Sequence, residues 1–202
     1  MSDPARPRAV PPSLLPGDAD SAAAASRPDL PPRWPAVVRL ELERRHRAMV
    51  AAASQFHAAR VLDLGHADHR HVVLHALLHG VTPEQRDSYD IVISVAGLAR
   101  FPDLAAAVSV VADLLAPDGV MMAVEPGFRP GPMALVVASA GALLPAARGV
   151  HLARDLPATV RSLGLTVTDV ERFTMPTLIW PLRPFVQLRA ERIDAAPPRT
   201  PR

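Results

Sequence analysis

Val61-Leu62-Asp63-Leu64-Gly65 is a short apolar run ending in an acid and a glycine. Tyr89-Asp90-Ile91-Val92-Ile93-Ser94 repeats the apolar pattern after a single helix-length interval. Continuous β-branched runs of this kind read as strands of a parallel sheet covered on both faces. Between them, residues 69–79 carry a helical pattern, and Gly80 is placed to cap its C-terminus. A third run, Val120-Met121-Met122-Ala123-Val124, follows Leu114-Leu115-Ala116-Pro117-Asp118-Gly119 and leads into Glu125-Pro126.

Working outward, Trp34-Pro35 opens a helix to about Ala53, with Val37, Leu40, Met49 and Ala52 as its apolar positions. In that helix Arg44-Arg45-His46-Arg47 reads as a solvated face rather than a phosphate site, because Glu41 and Glu43 stand beside it. Pro102-Asp103 starts a helix running through Leu115, and another spans Leu156–Leu163 and ends at Gly164. Leu165–Phe173 and Phe185–Arg192 alternate in polarity and are expected to pair as an antiparallel hairpin. The expected fold is therefore α/β, a three-layer sheet with an antiparallel finish. Residues 1–33, with eight prolines and an alanine run, read as a disordered tail, and 194–202 read the same way. Residues 34–193 form one domain.

The residues 58–193 resemble the class I S-adenosylmethionine (SAM)-dependent methyltransferases of the small-molecule, type 11 kind. The most specific parts are Tyr89-Asp90-Ile91-Val92 and the Leu-Leu-Ala-Pro-Asp-Gly block, which is similar to the family's leucine–x–proline–glycine–glycine turn with Asp118 replacing the first glycine. Arg154-Asp155, Val170–Phe173 and Pro181–Arg189 resemble a branch that acts on small lipophilic or thiol acceptors. The family's strand order is 3-2-1-4-5-7-6, and the interval between the first two runs here leaves no room for strands 2 and 3. The resemblance thus implies a Rossmann-like sheet truncated to about five strands in the order 1-4-5-7-6, with the first strand at an edge. Such an edge must be covered, blunted or paired with another chain. The helix ending at Ala53 or a second subunit, giving a homodimer, are the candidates.

The resemblance also implies a cofactor site for SAM at the C-terminal ends of the strands. Asp63, Gly65, His66 and Ala67 stand at the first turn, and Ser94, Val95 and Gly97 at the end of the next strand. Of the family's three turn glycines only Gly65 remains; Ala67 and His69 hold the other two places, and the ribose-binding acid is missing with its strand. Glu125, Arg129, His151 and Arg154 fall where an acceptor binds in relatives, under the apolar segment Met133–Leu144. Asp90 reads as structural. Methyl transfer depends mainly on alignment of donor and acceptor, so no catalytic base is assigned.

Composition narrows the alternatives. The 22 basic residues are all arginine and the formal net charge is +2, which does not suit a nucleic-acid binder. Cysteine is absent, excluding disulfides and thiolate chemistry. Pro and Asp stand where a signal-peptide core would lie, and Met133–Leu144 is too short to span a membrane, so a cytoplasmic location is expected. Five of the eight histidines lie in residues 66–79, with His71, His75 and His79 on one helix side. An i,i+4 histidine pair can chelate zinc or nickel with help from Asp68 or His69. Solvent exposure explains the stripe equally, so no metal site is assigned. Three functional readings follow: methyl transfer from SAM to a small apolar acceptor, a catalytically inactive methyltransferase-like module used for protein interaction or dimerisation, or a metal-binding or metal-sensing protein built on the histidine stripe.

Overall fold

The computed structural model describes residues 27–56, 59–128 and 148–192, with residues 131, 132, 134, 136, 137 and 145 between them. Helix α1 (Ala36–Ala53) is followed by β1 (Val61–Asp63), α2 (Ala67–His79), β2 (Tyr89–Val95), α3 (Leu104–Leu114) and β3 (Leu115–Pro126). Helix α4 (Leu156–Ser162), β4 (Thr166–Thr174) and β5 (Pro184–Glu191) complete the chain. The sheet order is β1-β2-β3-β5-β4. The pairs β1/β2 and β2/β3 are parallel, and β5 runs antiparallel to both β3 and β4. This is the five-stranded order expected from a sheet that lacks its second and third strands.

Alternation along β2 divides the core. Val92 packs with Leu62, Leu64, Val73, Val108, Val111 and Val160, from the face covered by α2, α3 and α4. Ile91, Ile93 and Val95 pack on the other face with Leu42, Met49, Met175 and Phe185. Trp34, just ahead of α1, meets Phe185 edge-on with ring centroids 5.9 Å apart. Helix α1 buries Val38, Leu42, His46, Met49 and Ala53, a strict i,i+4/i+3 stripe. The expected apolar positions Val37 and Leu40 point outward instead, the latter 63% exposed. The helix is rotated by one residue from the expectation, which carries His46 into the core.

Two turns explain departures from glycine. Asp118 stands at φ 60°, the left-handed region that Asp tolerates better than most residues, so it serves where relatives use glycine. Gly97 is required for space: a Cβ there would lie 2.4 Å from the Leu64 carbonyl oxygen.

One edge strand of the sheet is β1, the other β4, and α1 does not cover β1; α1 lies on the sheet face over β2 and β3. The edge is blunted in another way. Leu64 N–H donates to the Ile93 carbonyl across the β1/β2 pair, so the Asp63 N–H points the opposite way, off the sheet. It donates to His69 Nδ1 at 3.0 Å. Arg60, just ahead of the strand, is clamped to Asp90 by its backbone N–H and its guanidinium.

Replacing Gly97 with Ala should drive β1 and β2 apart at their ends and lower stability by about 2 kcal/mol or more. Urea unfolding checks this, and an unchanged midpoint would mean that the Leu64–Gly97 approach is slack.

Candidate functional site at the end of the first strand

Asp63 ends β1 with its carboxylate 4% exposed. A buried carboxylate must find donors, and this one finds them on three elements. Oδ1 accepts the Gly65 N–H at 2.8 Å, closing the turn that leads into α2. Oδ2 is met by His46 Nε2 at 2.6 Å, from the buried stripe of α1. His66 Nε2, from the residue that precedes α2, lies 3.3 Å from the same oxygen. Burial alone would raise the Asp63 pKa, but the hydrogen bonds and charges of His46 and His66 outweigh it and hold the group well below the usual carboxylate range. Hydrogen bonding to Asp63 raises the His66 pKa, with burial opposing.

Around this centre the chain closes upon itself. Residues 27–33, expected in the N-terminal tail, lie against the fold, with Pro28, Leu30 and Pro31 buried. Asp29 N–H donates to the Gly65 carbonyl at 2.8 Å. The Asp29 carboxylate receives Arg70 at 2.7 Å, and its carbonyl receives Arg100 at 2.6 Å. Arg70 also donates to the Leu64 and Gly65 carbonyls. A Cβ on Gly65 would come within 3.1 Å of the Pro28 side chain, so the strap sits directly on the glycine turn. His69 folds its ring back to the Asp63 N–H, which is why a histidine fits the place of the third turn glycine.

Of the residues expected to bind a cofactor, the structure therefore gathers Asp63, Gly65 and His66, and it uses each in an internal contact. Ala67 is exposed at the start of α2. Ser94, Val95 and Gly97 are buried, with Gly97 against Leu64. Ser94 Oγ donates to Glu125, which also accepts the N–H groups of Leu98 at 3.0 Å and Ala99 at 2.9 Å. Glu125 thus caps the short 3₁₀ turn Leu98–Arg100 from inside the protein. Burial pushes its pKa up to about 7, the Ser94 and backbone hydrogen bonds opposing.

Among the expected acceptor-binding residues, Glu125 faces inward. Arg154 donates to the Phe101 and Pro102 carbonyls and so ties two loops together. His151 is exposed, its backbone N–H bonded to Ala99 at 2.7 Å and its pKa lowered by partial burial and by Arg154. Arg129 and most of Met133–Leu144 lie outside the described residues. The histidine stripe is exposed as anticipated, with the His75 and His79 rings 4.5 Å apart. Sequence reading missed His46, taken as part of a solvated Arg-His-Arg face. Its spacing of four from Leu42 and three from Met49 is the signal that places it in the buried stripe. Its neighbour Arg45 is anchored too, to Glu41 and Glu171, with its guanidinium 3.7 Å above the Phe173 ring.

Comparison with solved structures places this architecture. The chain is similar to a candidate sarcosine dimethylglycine methyltransferase from Galdieria sulphuraria, at 11% identity and TM-score 0.52, over 88% of this chain and 99% of that one. It is also similar to a candidate methyltransferase from Bacillus halodurans, at 11% identity and TM-score 0.45, over 56% and 68% of the two chains. An arsenic(III) SAM methyltransferase from Chlamydomonas reinhardtii aligns at 20% identity and TM-score 0.43, over 61% and 42%. No family model and no curated protein matches the chain. At these identities the likeness is one of fold. The chain has the class I methyltransferase fold in a truncated, five-stranded form.

The residues present do not fit SAM in the place where this fold would hold it. The acid at the end of β1 is enclosed by two histidines, the glycine turn is covered by Pro28, and Gly97 closes on Leu64. No helix among the described residues is long and apolar enough to cross a membrane.

Glu125 sets a pH dependence. Its folded pKa, near 7, lies above the ordinary 4.5, so the fold disfavours the charged form. The resulting penalty is absent below about pH 4.5, grows up to about 7 and persists above it. The raised His66 pKa acts in the same direction, its contribution being complete below the ordinary 6.5 and lost as pH rises through the folded value. The unfolding midpoint of the wild type should fall between pH 5 and pH 8, and Glu125→Gln should flatten that fall. Parallel curves for the two proteins would show that Glu125 is ionised in the fold throughout.

Proposed function

We propose that this chain is a methyltransferase-fold module that does not use SAM and acts through its surface, as an interaction domain. The observation that carries this reading is the enclosure of Asp63. The carboxylate that would face a cofactor is held by His46, His66 and the Gly65 N–H, under the strap of residues 28–31. Opening the crevice would leave a buried charge without partners, at a cost of about 3–5 kcal/mol. The missing ribose-binding acid adds to this, because the five-stranded order leaves no strand to carry it.

Surface features support the interaction role. A cleft of about 410 Å³ lies between α1 and the end of β4, away from Asp63. Val37, Leu40, Phe173, Met175 and Pro176 line it, with Glu41, Arg44 and Arg45 at its side. Leu178 is fully exposed and Trp180 is 40% exposed on the following loop. Pairing of two copies through β1 is not favoured by the short strand and the His69 cap.

Calorimetric titration of SAM and of its demethylated product into the full chain tests the reading. No heat of binding is expected up to millimolar ligand. The same is expected for Asp29→Ala, which releases the strap from Arg70. Micromolar binding by the wild type would refute the proposal, and binding by Asp29→Ala alone would recast the strap as a gate on a working cofactor site.

A further inference from the structure

The two histidines and the carboxylate at the end of β1 have more capacity than a hydrogen-bonded pair requires. His46, Asp63 and His66 each offer one ligand atom, and these atoms lie within 4.8 Å of one another. They come from three elements that the fold brings together: the middle of α1, the end of β1 and the residue ahead of α2. We propose that His46, Asp63 and His66 form a binding site for a divalent transition metal of the zinc type.

The chemistry and the geometry agree. Two imidazoles and one carboxylate are ligands that suit zinc and its neighbours, at about 2.0–2.2 Å from the ion. Both histidines present Nε2, and both approach the same oxygen, Oδ2 of Asp63. The other oxygen is occupied by the Gly65 N–H, which orients the carboxylate to offer a single ligand atom. Metal sites use such outer hydrogen bonds to fix ligand direction. His46 and Asp63 are almost wholly buried, whereas the His66 side chain is 19% exposed, which leaves an approach for the ion and for a water ligand. The 2.6 Å contact between His46 and Asp63 is a hydrogen bond, shorter than the separation of two ligands on one ion. Entry of the metal therefore displaces that proton and moves the two groups apart by about half an ångström or more. A bound dication would clip α1, on one face of the sheet, to the start of α2, on the other.

This site differs from the exposed stripe of His71, His75 and His79, whose i,i+4 spacing offers a competing surface chelate. The test separates them. The chelator-treated full chain is titrated with zinc chloride by calorimetry, and with cobalt(II) by visible absorption, alongside His66→Gln and the triple variant His71→Gln/His75→Gln/His79→Gln. Wild type and triple variant should both bind one equivalent of metal, show the cobalt ligand-field bands and gain thermal stability. His66→Gln should bind at least about 100-fold more weakly. His66 is partly exposed, and circular dichroism of the metal-free variant verifies its fold. If that variant does not fold, the triple variant decides alone, since it leaves all three proposed ligands in place. No binding by the wild type at 100 µM metal (about a hundred times a micromolar Kd), or binding lost in the triple variant, overturns the proposal.

Discussion

The carboxylate of Asp63 sits at the end of the edge strand and is shared among three parts of the chain. One oxygen fixes the Gly65 turn, and the other draws in His46 from α1 and His66 from the start of α2. A buried charge of this kind is stable only with its partners in place. That requirement links the helix on one face of the sheet to the helix on the other. It matches the rotation of α1, which turns His46 inward together with Leu42 and Met49.

Loss of two strands from a methyltransferase-type sheet creates two physical problems, an open edge and an empty crevice. The edge is handled by shortness and by one imidazole: β1 has three residues, and His69 accepts the outward Asp63 N–H. The crevice is handled by the strap, whose Pro28 covers Gly65 and whose Asp29 bridges Arg70 and Arg100. Of the residues used, His69 stands where the resemblance expects the third turn glycine. In this reading His69, at a glycine place, and His66, between two of them, are parts of a different packing arrangement. His66, with His46 and Asp63, also brings together the ligand types that a metal ion would require.

The second acidic centre, Glu125, shows the opposite electrostatic balance. Its hydrogen-bond partners are the Ser94 hydroxyl and backbone N–H groups, which do not outweigh burial, so its pKa rises where that of Asp63 falls. Both carboxylates were legible as candidates from their place after a strand. Their environments separate them into a junction met by two histidines and a cap met by a hydroxyl and backbone N–H groups.

The strands and helices were legible in the sequence itself, and the five-stranded order was what its resemblance to the methyltransferases implied. Apolar runs at 61–65, 89–94 and 120–124, and the alternation at 165–173 and 185–192, mark the strands of a short α/β chain. The polar candidates Asp63, Gly65 and His66 were legible too, as what the same resemblance implies for the end of the first strand. Their use was decided only by tertiary structure. Local pattern did not reveal that α1 turns Val37 and Leu40 outward and His46 inward, because that rotation depends on which face meets Ile91 and Ile93. Nor did it reveal that Pro28–Pro31, read as tail, folds over the glycine turn, because the contacts join residues 29, 65, 70 and 100. A strand is specified by its neighbours in sequence, whereas a site is specified by neighbours in space.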